Sequence, residues 1–189
     1  MRKKNIIIAF ILLLLTNSCS NVQNEFSSNR CYFIFENGNH NNSRLAEAMT
    51  PYSGVFCTIS LITENGAQYY SFTNSSGLTE KTILTDLDKQ RTHILGFNNG
   101  LVVGYGKLSD PLTFYAYDLE CPNCFDPDAI PVRSKKLSIS TSGIATCNVC
   151  KRQYDLNNGG IITSGDKGNK LTRYHASTTG AYGTLNVYN

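Results

Sequence analysis

The chain has 189 residues, of which 41% are hydrophobic, 11% aromatic and 16% charged, enough apolar material for a core of its own and against wholesale disorder. Its formal charge of +3 comes from Arg2, Lys3 and Lys4; without them 14 basic residues face 14 acidic ones. A neutral chain offers no electrostatic footprint for a phosphate backbone, so composition argues against a nucleic-acid partner.

Residues 1–19 read MRKKNIIIAFILLLLTNSC. Three basic residues precede ten apolar ones, Ile6 to Leu15, and small or polar residues follow. That is the layout of a secretory signal, and ten residues make only about 15 Å of helix, half a bilayer core. A small residue, Ser18, directly before Cys19 resembles the end of bacterial lipoprotein signals, which implies that Cys19 carries diacylglycerol and becomes the new N-terminus. Acyl chains at ~0.8 kcal/mol per buried methylene would anchor the protein to a membrane. Ser20 to Arg30 is polar and aperiodic, and reads as a flexible tether.

Cys31 to Phe35 is an apolar, aromatic run typical of a buried strand, ended by an Asn37-Gly38 turn. Ser43 to Met49 carries helix formers behind a candidate N-cap Ser, which predicts one short helix. Gly54 to Ile62 alternates Val55, Cys57, Ile59 and Leu61 on one face; Asn65-Gly66 is a strong hairpin signal and Gln68 to Thr73 its return. Arg91 to Phe97 and Leu101 to Tyr105, around Asn98-Asn99-Gly100, predict a second hairpin. Thr113 to Asp118 leads into the first cysteine pair. Lys136 to Ser140, Ile144 to Thr146, Gly160 to Thr163, Leu171 to His175 and Thr184 to Tyr188 predict further short strands. Strands at this spacing between Gly/Asn turns suggest an all-β antiparallel sandwich or partly open barrel.

Of seven cysteines, four form Cys121-Pro-Asn-Cys124 and, beyond an intervening segment from Phe125 to Thr146, Cys147-Asn-Val-Cys150. Two residues between paired cysteines let both thiolates of a tight turn point at one metal, and two such knuckles make a tetrahedral all-thiolate site. The spacing favours structural zinc. An iron centre is chemically open to the same soft donors. Two disulfides suit an exported chain, and four reduced buried thiols are the plainest alternative. Cys31 and Cys57 lie alone in apolar strands; they are candidates for a disulfide if the strands are neighbours, and otherwise two small buried residues.

The region resembles a Rieske-type iron–sulfur domain. Phe114-Tyr-Ala-Tyr-Asp118 enters the first knuckle. Cys147-Asn-Val-Cys150-Lys-Arg-Gln-Tyr154-Asp155-Leu156 forms the second, before Asn157-Asn158-Gly159-Gly160, and Leu171-Thr-Arg-Tyr174 takes the late-strand position. In that family each knuckle supplies one Cys and one His. Here Asn123 stands at the first His position and Cys150 at the second, while His40, His93 and His175 fall outside both. Val149 replaces one of the two extra Cys that bridge over the family's cluster, and Gly165-Asp166 replaces its Gly-Pro loop. The resemblance therefore implies the same pair of knuckles re-equipped with four thiolates, as in rubredoxin and zinc ribbons.

Asp126 and Asp128 read as turn formers. Lys135-Lys136 and Lys151-Arg152 either offset thiolate charge or form a solvated face, and Tyr69-Tyr70 reads as core rather than a glycan platform. No Ser-His-Asp ordering, phosphate loop or HExxH helix is present, so no hydrolysis or group transfer is expected. The expected whole is a signal peptide at 1–18, lipidated Cys19 and a tether to 28, and a Rieske-like β domain at 29–189 with a two-knuckle, zinc-ribbon or rubredoxin-like subdomain at about 113–175. It would bind one zinc ion, or alternatively a [2Fe–2S] cluster or single iron moving one electron. It would sit in the cell envelope, held to the membrane by its lipid and facing an unidentified envelope protein partner.

Overall fold

The computed structural model describes residues 24–189. The expected signal segment at 1–18 and Cys19 lie outside the described residues. Among those described, no helix is long and apolar enough to cross a membrane.

The chain is nearly all β. Strands β1 (Tyr32–Glu36), β2 (Phe56–Glu64), β3 (Ala67–Asn74), β4 (Thr79–Ile83), β5 (Leu101–Tyr105), β6 (Phe114–Asp118), β11 (Arg173–Thr178) and β12 (Thr184–Tyr188) form a curled antiparallel half-barrel in the order β1-β12-β11-β6-β5-β2-β3-β4. Strands β7 (Leu137–Ile139), β8 (Ile144–Cys147), β9 (Gln153–Asp155) and β10 (Ile161–Ser164) form a second antiparallel sheet, ordered β10-β9-β8-β7. Three short helices, α1 (Asn37–His40), α2 (Ser43–Ala48) and α3 (Asp86–Gln90), complete the elements.

The middle of the large sheet is covered on both faces, and strand alternation divides its side chains between two cores. Cys57, Ile59, Leu101, Val103 and Ala116 face a core with Phe33, Phe35, Tyr70, Phe72 and the α2 residues Leu45 and Ala48. Phe56, Val102, Tyr115 and Tyr117 face the other, against Leu137, Ala145, Tyr154 and Leu156 of the small sheet and its turns. A strand buried on both faces has no polar alternation to show, which is why Leu101-Val-Val reads as a continuous apolar run.

The first hairpin forms as expected. Asn65 (φ 49°) and Gly66 (φ 79°) both take left-handed conformations at the β2–β3 turn, the geometry that matches strand twist. The second does not. Arg91–Phe97 is irregular, with one bridge between Ile94 and Tyr32, and β5 pairs instead with β2 and β6. Two features displace it. Thr85 and Asp88 form a capping box that starts α3 just upstream. Further on, Gly96 turns at φ 66° against Asp118, whose carboxylate accepts from the Phe97 amide at 2.7 Å. The N-cap of α2 is Asn42, one residue before the expected Ser43, and its side chain accepts from the Leu45 amide. The Asn37-Gly38 turn is the start of α1.

Residues 25–27, at the expected tether, lie along β11. The Ser27 amide donates to the Arg173 carbonyl at 2.8 Å, Glu25 pairs with Arg173 at 2.6 Å, and Phe26 stacks on His175 with centroids 3.8 Å apart. The Arg173 guanidinium also lies over the Phe26 ring at 4.7 Å.

Candidate metal centre

The first knuckle leaves the large sheet at the end of β6 and enters the small one at β7. Its approach is fixed by buried carboxylates. Asp118 accepts from the Glu120 amide at 2.8 Å and from the Tyr174 hydroxyl at 2.9 Å. Glu120 accepts from Asn98 at 2.7 Å, from the Ser134 hydroxyl at 2.6 Å and from the Lys135 amide. The Cys121 amide then donates to the Lys135 carbonyl at 3.0 Å. The Cys124 and Phe125 amides both fold back on the Cys121 carbonyl, at 3.1 and 2.9 Å, which closes the turn.

The second knuckle is the β8–β9 turn. The Cys147 amide donates to the Arg152 carbonyl at 3.0 Å, and the Lys151 amide to the Cys147 carbonyl at 2.9 Å. Lys151 takes the left-handed conformation, φ 62°, that this turn demands. The β7–β8 hairpin between the knuckles brings them face to face.

The four sulfurs of Cys121, Cys124, Cys147 and Cys150 all lie within 4.8 Å of one another, a grouping that can hold a metal ion. A regular tetrahedron with metal–sulfur bonds of about 2.3 Å has edges of about 3.8 Å. The Cys121–Cys150 separation is 3.8 Å. Cys121 and Cys147 are buried and Cys124 and Cys150 half-buried, so one edge of the group reaches the surface. All six described cysteines are free thiols.

Electrostatics shows what such crowding means. Burial and the neighbouring sulfurs push the Cys124 thiol up to about 12. Burial also raises Cys121, against the Tyr154 hydroxyl and the Asn123 amide. Burial opposes ionisation of Cys150 too, but the Arg152 amide and guanidinium, with hydrogen bonds from Cys124 and Cys147, outweigh it and bring that thiol down to about 6. Four adjacent thiolates repel; one ionises at its neighbours' expense, and a cation at the centre removes the conflict.

Outer contacts complete the site. The Tyr154 hydroxyl lies 3.4 Å from the Cys121 sulfur and accepts from the Asn123 amide side chain at 2.9 Å. Asn123 also clasps Asn169, donating to its carbonyl at 2.8 Å and accepting from its amide at 2.9 Å. Arg152 reaches the Asp166 and Lys167 carbonyls at 3.0 and 3.1 Å. Asn123, at the His position of the resembled motif, thus ties the first knuckle to the 165–169 loop. Of the basic pairs weighed from sequence, Arg152 does offset thiolate charge, while Lys151 is exposed. The part of Tyr154 and the 165–169 loop was not readable from spacing, since both act through contacts that only the fold creates.

The other singled-out residues lie elsewhere. Cys31 and Cys57 share the larger core; burial pushes Cys31 up to about 12 and Cys57 up as well, the state of inert packed thiols. His40 faces Asp88 at 3.3 Å, His93 meets the Tyr70 hydroxyl at 2.8 Å, and His175 lies between Phe26 and Tyr188. Asp126 accepts from the Asp128 amide at 3.0 Å, as a turn former should. Tyr70 is fully buried. No family model, curated protein or solved structure matches this chain.

Proposed function

We propose that the protein is an exported, lipid-anchored, non-enzymatic component of a cell envelope whose Rieske-like domain holds one structural zinc ion through Cys121, Cys124, Cys147 and Cys150. The observation that carries this reading is the convergence of four sulfurs within 4.8 Å, from two turns held apart in sequence by the whole segment Phe125 to Thr146. The donor set suits zinc: four soft thiolates, no open position and amide donors from Asn123 and Arg152 against two of the sulfurs. When bound, zinc supplies a charge-neutralising cross-link between the small sheet and the end of β6. The placement of the two knuckles on β6–β7 and β8–β9 follows the strand–knuckle–strand order that carries the Rieske resemblance.

Elemental analysis of protein purified without chelator from its own compartment tests this directly. One zinc per chain in a colourless preparation, lost in a Cys147→Ser variant, is expected. Absence of any metal, with the four thiols either bridged or freely labelled, would end the reading. Lipidation has a separate test: Cys19→Ala should release the protein from membranes.

A second reading has one observation in its favour. Cys124 and Cys150 are half-buried and Val149 beside them is 58% exposed, so a redox-active ion would lie close enough to the surface to exchange an electron with a docked protein. In that case the centre is iron, thiolate ligation gives it a low potential, and the purified protein is red-brown.

A further inference from the structure

The described chain begins beside the metal centre. A cleft of about 420 Å³ is lined by Phe26 and Arg173 on one side and by Cys121, Phe125 and Pro127 on the other, with Asn24 at its rim. Asn24 lies five residue steps beyond Cys19. At about 3.4 Å each they reach at most about 17 Å. A lipid on Cys19 therefore keeps this end of the domain close to the bilayer.

The same end carries the loop between the first knuckle and β7, residues 125–135. At its tip Ile130 is 98% exposed and Val132 50%. Ile130, Pro131, Arg133 and Lys135 border a groove of about 280 Å³ that has the Cys124 ligand in its wall. The loop's stem is rigid: the Cys121 amide donates to the Lys135 carbonyl at 3.0 Å and the Ser134 hydroxyl to Glu120 at 2.6 Å. The apolar tip is thus held away from both cores. Asp126 also borders this groove, and its carboxylate is engaged in the turn, accepting from the Asp128 amide at 3.0 Å. Exposed apolar side chains next to long basic ones are the chemistry of the bilayer interface: apolar carbon enters the acyl boundary and the cations remain among anionic headgroups.

We infer that the 125–135 loop is a membrane-contact loop, seating Ile130 and Val132 in the interface of the bilayer that holds the anchor, with Arg133 and Lys135 on its headgroups. The inference rests on the lipid-anchor reading and adds an orientation to it: the edge of the metal site at Cys124 faces the membrane surface.

The chain contains no Trp, so Ile130→Trp introduces its sole indole at a fully exposed position. The processed full-length lipoprotein, purified from membranes, is reconstituted into phosphatidylcholine/phosphatidylglycerol vesicles. The expected result is a blue-shifted emission, shielded from aqueous acrylamide and mostly lost when the acyl chains are brominated. Leu78→Trp, in the exposed β3–β4 turn, should stay open to acrylamide and unaffected by bromolipid. Adding Arg133→Glu and Lys135→Glu to the Ile130→Trp chain should reverse most of the shielding. If the protein floats with vesicles while the indole at 130 remains open to acrylamide, the contact loop is refuted and the patch is left to a protein partner. If the protein does not float with vesicles, or floats equally as Cys19→Ala, the anchor falls and takes this inference with it. Flotation and fluorescence keep the two failures apart.

Discussion

Removing the metal should destabilise the fold by an amount that the chain itself sets. Metal at the four sulfurs ties Cys124 to Cys147 and closes the intervening segment, Phe125 to Thr146, into a loop. Treated as loop closure in the unfolded chain, such a cross-link is worth about 3.5 kcal/mol at 25 °C. For a domain of this size each kcal/mol corresponds to about 2–4 °C in Tm, so chelation under reducing conditions should lower Tm by roughly 7–14 °C. Binding of the ion to the folded site alone adds to this. The assay is calorimetry with and without chelator, with metal content measured on the same samples. Cys147→Ser supplies the control, since its Tm should already be low and should no longer respond to chelator. Amide exchange adds a spatial readout: β7, β8 and β9 should lose protection first, while β2 and β3, on the far side of β5, keep theirs. An unchanged Tm in a sample whose metal has gone would refute a structural role, because the cross-link would then constrain nothing that the cores do not already hold.

Other sites give sharper, smaller tests. Asp88 lies below its ordinary value of 3.8: burial raises it, but the Thr85 hydroxyl and amide, with His40 and His93 nearby, more than offset that. A depressed carboxylate stabilises the fold above the unfolded pKa and loses that contribution as pH falls through the folded one, so Asp88→Asn should flatten the urea midpoint between about pH 5 and pH 2. Gly96 turns at φ 66° with a Cβ position that would collide with the Asp118 carboxylate, and Gly96→Ala should cost about 1–3 kcal/mol in the same denaturation assay. Tyr154→Phe keeps the buried ring but removes the hydroxyl near Cys121 and Asn123; competition with a chromogenic chelator should show metal affinity lowered about 10–100-fold.

The legible parts of this molecule are those in which local chemistry decides the outcome. Asn65-Gly66 takes two left-handed residues with little strain, so the β2–β3 hairpin follows from two letters. Thr184–Tyr188 forms β12 within the bounds its pattern predicts, and the paired CxxC turns converge because each turn aims two sulfurs the same way. What was not legible depends on partners distant in sequence. Thr79–Ile83 carries Glu and Lys and is absent from the predicted strands; β3 supplies the ladder that makes it β4 at the sheet edge. Arg91–Phe97 looks like a strand because Ile94, Leu95 and Phe97 are apolar, yet its strand-like pairing is a single bridge from Ile94 to Tyr32, and the Phe97 amide goes to the carboxylate of Asp118. Phe26 sits in a polar, aperiodic stretch, and only the Arg173 and His175 side chains, from near the other end of the chain, give it a surface to stack on. Asn123 shows the same at the site itself: the motif marks it as a missing ligand, while the fold uses it as a clasp on Asn169.

The thiol electrostatics leads to a last prediction that needs no structure of the loaded protein. Without an ion, Cys150 is brought down to about 6 and is ionised at neutral pH, while Cys124 is pushed up to about 12 and Cys121 is also raised. A metal accepts thiolates, so Cys121 and Cys124 must each give up a proton on loading. Titrating metal into the reduced, metal-free protein near pH 7 should therefore release at least two protons per ion. The number can be read from calorimetric heats in buffers of different ionisation enthalpy. Apparent affinity should accordingly rise steeply with pH through neutrality. The Arg152→Ala variant separates this from any other proton source: without the guanidinium beside Cys150, that thiol should hold its proton longer, and the release per metal near pH 7 should increase. Loading that released no protons would mean that the ion binds somewhere other than the four sulfurs, whatever their spacing.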